Sequence, residues 1–457
     1  MGDKTFVAAM YPWFGMGHLT SFLHLSNKLA ERGHRIFFYI PARTLCKLEQ
    51  FNRHPDLITF IPISVPHVEG LPAGAETTAD ITYPMQPHLV TAMDLTQPFI
   101  EASLRELKPQ FVFFDFTYWL PSLARALGIK TIYFSTVCSA VRAYNLRETG
   151  SFKNLQLKET DLLEPPPGFP LASMIKLYAH EARQFFDQHV REFGKNISFS
   201  ERISTSYTEC DAIAFKTCRE LEGRYCDYVQ DHYKKAILLA GPVLPEPPTS
   251  KLDEKWANWL GQCKPKSVIF CAFGSECVLK KDQFQELVLG FELTGLPFLA
   301  ALRPPFGAEN VEAALPEDFT ERNQGRGVVT GGWVQQQLIL AHPSVGCFVT
   351  HCGYGSLSES LISECQLVLL PNVGDQFINA RVMGRDLKVG VEVEKAEDGT
   401  FTKDAVCEAI QSVTDPDSEV GKEVRGNHNK FRELLLQKGF ESRYIDDFVQ
   451  KLQGLLQ

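Results

Sequence analysis

Apolar residues at the start of the chain switch between two spacings. Phe6 to Met10 is a short unbroken apolar run, the pattern of a strand buried on both faces, and Trp13-Phe-Gly-Met-Gly-His18 follows it. Leu19, Phe22, Leu23, Leu25 and Leu29 then recur at helical spacing up to Arg32, and Gly33-His34-Arg35 turns into a second apolar run, Ile36 to Ile40. This is one βαβ unit. The alternation continues with strands predicted over 57–61, 111–114, 129–134, 212–215 and 236–239, and helices over 93–107 and 197–208. The Pro-, Gly- and Thr-rich stretch 62–87 reads as a long loop, and 153–170, with Pro165-Pro-Pro-Gly168, as a surface excursion.

Gly241-Pro-Val-Leu-Pro-Glu-Pro-Pro248 is too proline-rich for a helix or a central strand and reads as a linker. Beyond it the alternation restarts, with strands predicted over 267–272, 298–302, 328–329, 346–349 and 367–370 and a helix over 281–293. Three apolar runs, Gln337 to Leu340, Gly346 to Val349 and Leu367 to Leu370, carry polar clusters at their ends, as in a parallel sheet whose ligands sit at the carboxyl ends of the strands. The tail from Glu419 is mostly helical with a break near Gly439, and Phe440, Tyr444, Ile445, Phe448 and Leu452 share one face. The expectation is an α/β protein of two Rossmann-like domains, 1–240 and 253–439, joined by a linker over 241–252, with a terminal helix over 440–457.

A length of 457 residues suits two such domains, and 44% hydrophobic with 22% charged residues is a globular composition. The formal charge of −9 disfavours nucleic acid or an anionic membrane surface as partner. Twelve cysteines lack any CxxC pair, and Cys210, Cys218 and Cys226 match no zinc spacing, so buried reduced thiols are expected. The first residues lack the layout of a signal peptide, and no apolar run approaches a transmembrane length. A soluble, cytoplasmic monomer is the expectation.

Two sets of residues carry chemistry. His18 sits where a glycine-containing loop meets a helix start, and Asp115 ends a buried strand; together they suggest a general base oriented by a carboxylate. The second set fills one window. Trp333, in Trp333-Val334-Gln335-Gln336, can stack on a base, and Glu359 can take ribose hydroxyls. His351-Cys-Gly353-Tyr-Gly355-Ser356 opening a helix offers backbone N–H groups and a dipole end to phosphates, and Asp375-Gln376 suits sugar hydroxyls. Phe273-Gly-Ser275 is either a phosphate-contacting turn or an ordinary βα turn. Gly15-x-Gly17 lacks the third glycine and the acidic strand end of a dinucleotide fingerprint, which sets a dehydrogenase aside. A UDP-sugar epimerase or hydrolase and a non-catalytic nucleotide-sugar binder remain as alternatives.

The window from Trp333 to Gln376 resembles the signature box of plant family-1 UDP-dependent glycosyltransferases: Trp333, Gln336, His342, His351-Cys-Gly353, Ser356, Glu359 and Asp375-Gln376 fall in register. The early Gly-x-Gly-His, the mid-domain Asp, the proline-rich linker and the terminal helix also fit. The resemblance implies a GT-B fold with the acceptor on the N-terminal half, UDP-sugar on the C-terminal half, and the last helix packing back on the first domain. It implies His18 as catalytic base and Asp115 as its partner, Trp333 on uracil, and Gln336 and Glu359 on ribose. His351, Ser356 and Ser275 would hold the diphosphate, and Asp375 and Gln376 the transferred sugar, with Ser135 a further candidate there. Tyr354-Gly355 stand where the family usually has Trp-Asn, leaving UDP to the backbone N–H groups and the donor sugar open between glucose, rhamnose and xylose. Tyr354-Gly355, the Met10-to-His18 opening and Asp115-Phe-Thr-Tyr-Trp-Leu-Pro121 point to the branch that extends a sugar already on a flavonoid or related phenolic, with transfer to a small-molecule aglycone as the alternative. No metal or cofactor is expected, since no Asp-x-Asp or His/carboxylate cluster of ligand spacing lies near the window.

Overall fold

The computed structural model describes residues 5–146, 157–246, 250–274 and 276–457. Ser275, Pro247 and Pro248 of the linker, and residues 153–156 of the predicted excursion lie outside the described residues. Two wholly parallel sheets account for the strands. The first orders β3-β2-β1-β4-β5-β6-β7, from Val7–Tyr11 (β1), Arg35–Pro41 (β2), Ile58–Ile63 (β3), Phe111–Phe114 (β4), Lys130–Ser135 (β5), Ala212–Phe215 (β6) and Ile237–Leu239 (β7). The second orders β10-β9-β8-β11-β12-β13, from Val268–Ala272 (β8), Phe298–Ala301 (β9), Gly327–Thr330 (β10), Val345–Thr350 (β11), Gln366–Leu369 (β12) and Gly390–Glu392 (β13). Strands such as Phe111–Phe114 and Val268–Ala272 are buried at every position, because helices cover both faces of a parallel sheet.

In each sheet the strand order reverses at one place, and a crevice opens there beyond the carboxyl ends of the strands. The first reversal lies between β1 and β4, whose register pairs Tyr11 with Phe114. The second lies between β8 and β11, whose register pairs Ala272 with Thr350. His18 and Asp115 therefore leave adjacent strands of one sheet, and Phe273 and His351 leave adjacent strands of the other.

The structure departs from the sequence pattern at identifiable points. The helix expected over 93–107 is two, Gln86–Asp94 and Gln97–Leu107, because Pro98 has no N–H for the Asp94 carbonyl and its ring would clash there. The apolar run Gln337–Leu340 is not strand but part of a short helix, Gln336–Leu340. The terminal helix Phe440–Gly454 crosses back to the first unit, where Ile445, Phe448 and Leu452 are wholly buried among Met10, Phe113 and Phe134. Each such side chain contributes about 1.5–3 kcal/mol, so the crossing ties the halves together without a covalent link beyond the linker. No helix among the described residues is long and apolar enough to cross a membrane.

Candidate active site

The first wall of the cleft is built at the β1/β4 reversal. The helix Met16–Ala30 starts after Gly15 and carries His18 in its first turn. Asp115 follows β4 directly and is buried. Its Oδ1 accepts from the Trp13 N–H at 2.6 Å and the Phe116 N–H at 2.8 Å, and its Oδ2 lies 2.5 Å from His18 Nδ1. Thr136 Oγ1 is also within 2.9 Å of that nitrogen. With one carboxylate oxygen held by two backbone donors, the other is aimed at the imidazole and sets the tautomer with hydrogen on Nδ1. The ring packs edge-on to Phe116 at 5.6 Å, leaving Nε2 as the nitrogen with a free lone pair.

The second wall is built at the β8/β11 reversal. After β11, Cys352 takes a positive φ and turns the chain into the helix Tyr354–Leu361, whose N-cap Gly353 makes no side-chain cap. Among the described residues no side chain caps its first-turn N–H groups, which stand at the positive end of the helix dipole. A Cβ on Gly353 would come within 2.5 Å of His351 Nε2, so the close approach of loop and ring requires glycine. Burial drives the His351 imidazole down to about 4, which keeps it neutral. Gln336 Nε2 donates to Glu359 Oε2 at 2.7 Å and to Ser356 Oγ at 3.2 Å, and Gln337 Nε2 donates to Glu359 Oε1 at 3.2 Å. Burial raises the Glu359 carboxyl against these bonds. Val334 is buried beneath the loop, while the adjacent Trp333 is 81% exposed, a ring with an open face.

The walls enclose a cavity of about 130 Å³ lined by Trp13, His18 and Phe116 from one side and Glu276, Asp375 and Gln376 from the other. Asp375 accepts from Asn379 Nδ2 at 2.9 Å, and burial raises its carboxyl. Gln376 Oε1 accepts from the N–H groups of Asn372 and Val373, which holds its side chain at the cavity edge. Polar bridges fix the separation of the walls. Glu276 accepts from Thr78 Oγ1 at 2.6 Å and from Gln86 Nε2 at 3.2 Å, and a buried bidentate pair joins Arg381 to Glu181 at 2.7 and 2.8 Å.

Two candidates are placed differently from expectation. The Tyr354 side chain is not aimed into the cavity: it crosses to the first unit and donates to Glu222 and to the Lys216 carbonyl. A phenol carries a donor that an indole ring would not put there, and the buried Glu222 carboxylate captures it. Ser135 is spent on the Val137 carbonyl at 3.1 Å, because its side chain alternates to the opposite side of the strand end from Thr136. Thr136 is the residue sequence reasoning passed over; its signal was its place one residue beyond β5. Glu276 was missed as well, since nothing local marks a carboxylate that serves the opposite domain. Ser275 lies outside the described residues.

The cavity brings His18 of one wall together with Asp375 and Gln376 of the other, while Trp333, Gln336, His351, Ser356 and Glu359 are not among the residues that line it. A family model for UDP-glucoronosyl and UDP-glucosyl transferase matches residues 317–423. The chain is 59% identical over 457 residues to a cyanidin 3-O-galactoside 2''-O-xylosyltransferase of Actinidia chinensis var. chinensis, covering 100% of each. It is 56% identical over 459 residues to an anthocyanidin 3-O-glucoside 2''-O-glucosyltransferase of Ipomoea nil, again covering 100% of each. A Glycyrrhiza uralensis UGT complexed with glycyrrhetinic acid 3-O-monoglucuronide matches the fold with a TM-score of 0.82 at 21% identity, over 99% of this chain and 96% of that one. The chain belongs to the plant family-1 UDP-dependent glycosyltransferases and has their GT-B fold.

Proposed function

We propose that this protein is an inverting glycosyltransferase that moves glucose from UDP-glucose to a hydroxyl of the sugar on a flavonoid or anthocyanidin glycoside, as a cytosolic monomer without metal or cofactor. The observation that carries the reading is the shared cavity: the His18–Asp115 pair on one wall and Asp375–Gln376 on the other are within reach of a single acceptor and donor sugar. His18 Nε2 takes the proton of the acceptor hydroxyl, and Asp115 stabilises the imidazolium that forms. The freed oxygen attacks the anomeric carbon from the face opposite UDP, and the bond from that carbon to the β-phosphate oxygen breaks with its electron pair going to UDP. The N–H groups of Tyr354–Leu361 stabilise the departing diphosphate. Trp333 stacks on uracil, the Gln336–Glu359 pair receives the ribose, and Asp375 and Gln376 receive the hydroxyls of the transferred sugar.

UDP-xylose is the second reading for the donor, favoured by the name of the Actinidia relative. A screen of UDP-glucose, UDP-xylose and UDP-rhamnose against flavonoid glycosides and their aglycones, with products read by mass spectrometry, tests both. The expected product is a disaccharide on the flavonoid, formed at the same rate with EDTA present. Release of UDP at the same rate without acceptor would show a hydrolase instead.

A further inference from the structure

Beyond the dyad, the first wall carries a buried cation with no ion-pair partner among the described residues. The helix Ser139–Tyr144 follows β5 and the Thr136 turn, and Arg142 lies on it; Asn145, at its C-cap, is three residues further and so shares the face. Both side chains line the cavity that holds His18 and Asp375. Arg142 is only 7% exposed, yet among the described residues no carboxylate pairs with it. Its guanidinium rests on the Tyr207 ring at 5.3 Å, and one terminal nitrogen reaches the Tyr133 hydroxyl at 3.5 Å, the outer limit of a hydrogen bond. Among the described residues, Arg142 Nε and Asn145 Oδ1 are both buried with no hydrogen-bond partner. One is a donor and the other an acceptor, on one helix face, desolvated in advance.

A buried polar atom without a partner costs folding free energy unless a ligand supplies one. The ligand that answers both atoms must offer an acceptor and a donor close together. Neighbouring hydroxyls of a pyranose do so: one oxygen accepts from the guanidinium while another O–H donates to the Asn145 oxygen. The Asp375 carboxyl feels the charges of both His18 and Arg142, so the guanidinium is near the reacting groups. The aromatic residues Trp13, Phe116, Phe193 and Phe199 line the rest and suit a flat phenolic ring system.

We infer that Arg142 and Asn145 form the subsite that reads the sugar already attached to the acceptor, holding its non-reacting hydroxyls so that one hydroxyl meets His18. This rests on the proposed sugar-extending function and names which residues make the enzyme prefer a glycoside to its aglycone. A site built to hydrogen-bond a substrate hydroxyl discriminates strongly against the analogue that lacks it, because its buried groups are then left unpaired.

The test uses the full-length enzyme with UDP-glucose, quercetin 3-O-glucoside and quercetin, in wild type, Arg142→Lys and Asn145→Ala. Lysine keeps the charge but loses the planar donors, and alanine removes the orphan oxygen. Each variant is expected to raise KM for the glucoside on the order of 10–100-fold while KM for UDP-glucose stays in place, and to erode the preference for glucoside over aglycone. An unchanged glucoside KM in both variants, or an equal rise in the donor KM, overturns the subsite. Because Arg142 also packs on Tyr207, thermal melting accompanies each variant, and Asn145→Ala decides alone should Arg142→Lys fail to fold. A wild-type enzyme that glucosylates no glycoside removes the functional reading itself. A wild type and variants that extend glycosides alike remove only the subsite.

Discussion

The two walls of the cleft are built at equivalent places in two similar sheets, yet they are finished in opposite ways. On the first, the groups proposed for catalysis are held by the protein's own partners: Asp115 takes two backbone N–H bonds and His18, and Thr136 closes on the same ring nitrogen. On the second, the groups assigned to the nucleotide are left open, with an uncapped helix end and an indole 81% exposed. The difference follows from what each wall must do. A base has to hold one tautomer and one direction at the moment of transfer, so its partners belong to the protein. A nucleotide brings its own charge and aromatic surface, so the groups that meet it need free valences. The histidines at the two reversals make the same point: His18 is held by a carboxylate of the protein, whereas His351 is kept neutral by burial.

The largest effect separates the walls. His18→Ala is expected to lower turnover by about a hundredfold or more while UDP binding, measured by calorimetry, stays unchanged. A variant that turned over normally would remove the base from the first wall. The second effect is on stability. The His351 imidazole falls from 6.5 in the unfolded chain to about 4 in the folded protein, so the unfolded state takes the proton first. Stability is therefore whole above pH 6.5 and is lost as pH falls through 4, by at most about 3 kcal/mol from this residue. Denaturant midpoints across that window should fall less steeply in His351→Gln than in wild type; parallel curves would contradict a neutral His351.

Trp333→Ala is expected to weaken UDP by about 1–3 kcal/mol, with the melting temperature and the acceptor KM unmoved, since the ring covers no core. An acceptor defect would mean that the second wall is less independent than its open finish implies. The smallest effect is at the seam. Tyr354→Phe removes one donor from Glu222, which keeps the Ser139 N–H, the Ser139 hydroxyl and the Thr217 hydroxyl. The expected cost is about 1 kcal/mol of stability with UDP affinity retained. A large loss of UDP affinity would return the Tyr354 side chain to the donor site.

Strands were the most legible elements. Phe111–Phe114 and Ala212–Phe215 stand where their unbroken apolar runs predict them, because a strand covered on both faces has no polar position to blur its limits. Short helices were the least legible. All six residues of Ser139–Tyr144 are buried, so the helix has no polar face and no amphipathic period, and the placement of Arg142 was hidden with it. Thr136 and Glu276 escaped for a related reason: each acts on a residue far away in sequence, and neither spacing nor composition encodes the distance.

By itself the sequence determined the chemistry available at each loop. A histidine after β1, an acid after β4, a glycine-flanked helix start after β11 and a tryptophan before it are local facts, set by turn and strand-end residues within a few positions of each other, whereas whether Trp333 is core or exposed was not among them. Only the tertiary structure decided which of these loops meet. β1 lies against β4 rather than β3, and β8 against β11 rather than β10, because the crossover helices cover both faces of each sheet and reverse the strand order at those two places. That reversal brings His18 to Asp115, sends the Tyr354 hydroxyl to Glu222 instead of the cavity, and leaves Arg142 lining the cleft with no ion-pair partner among the described residues.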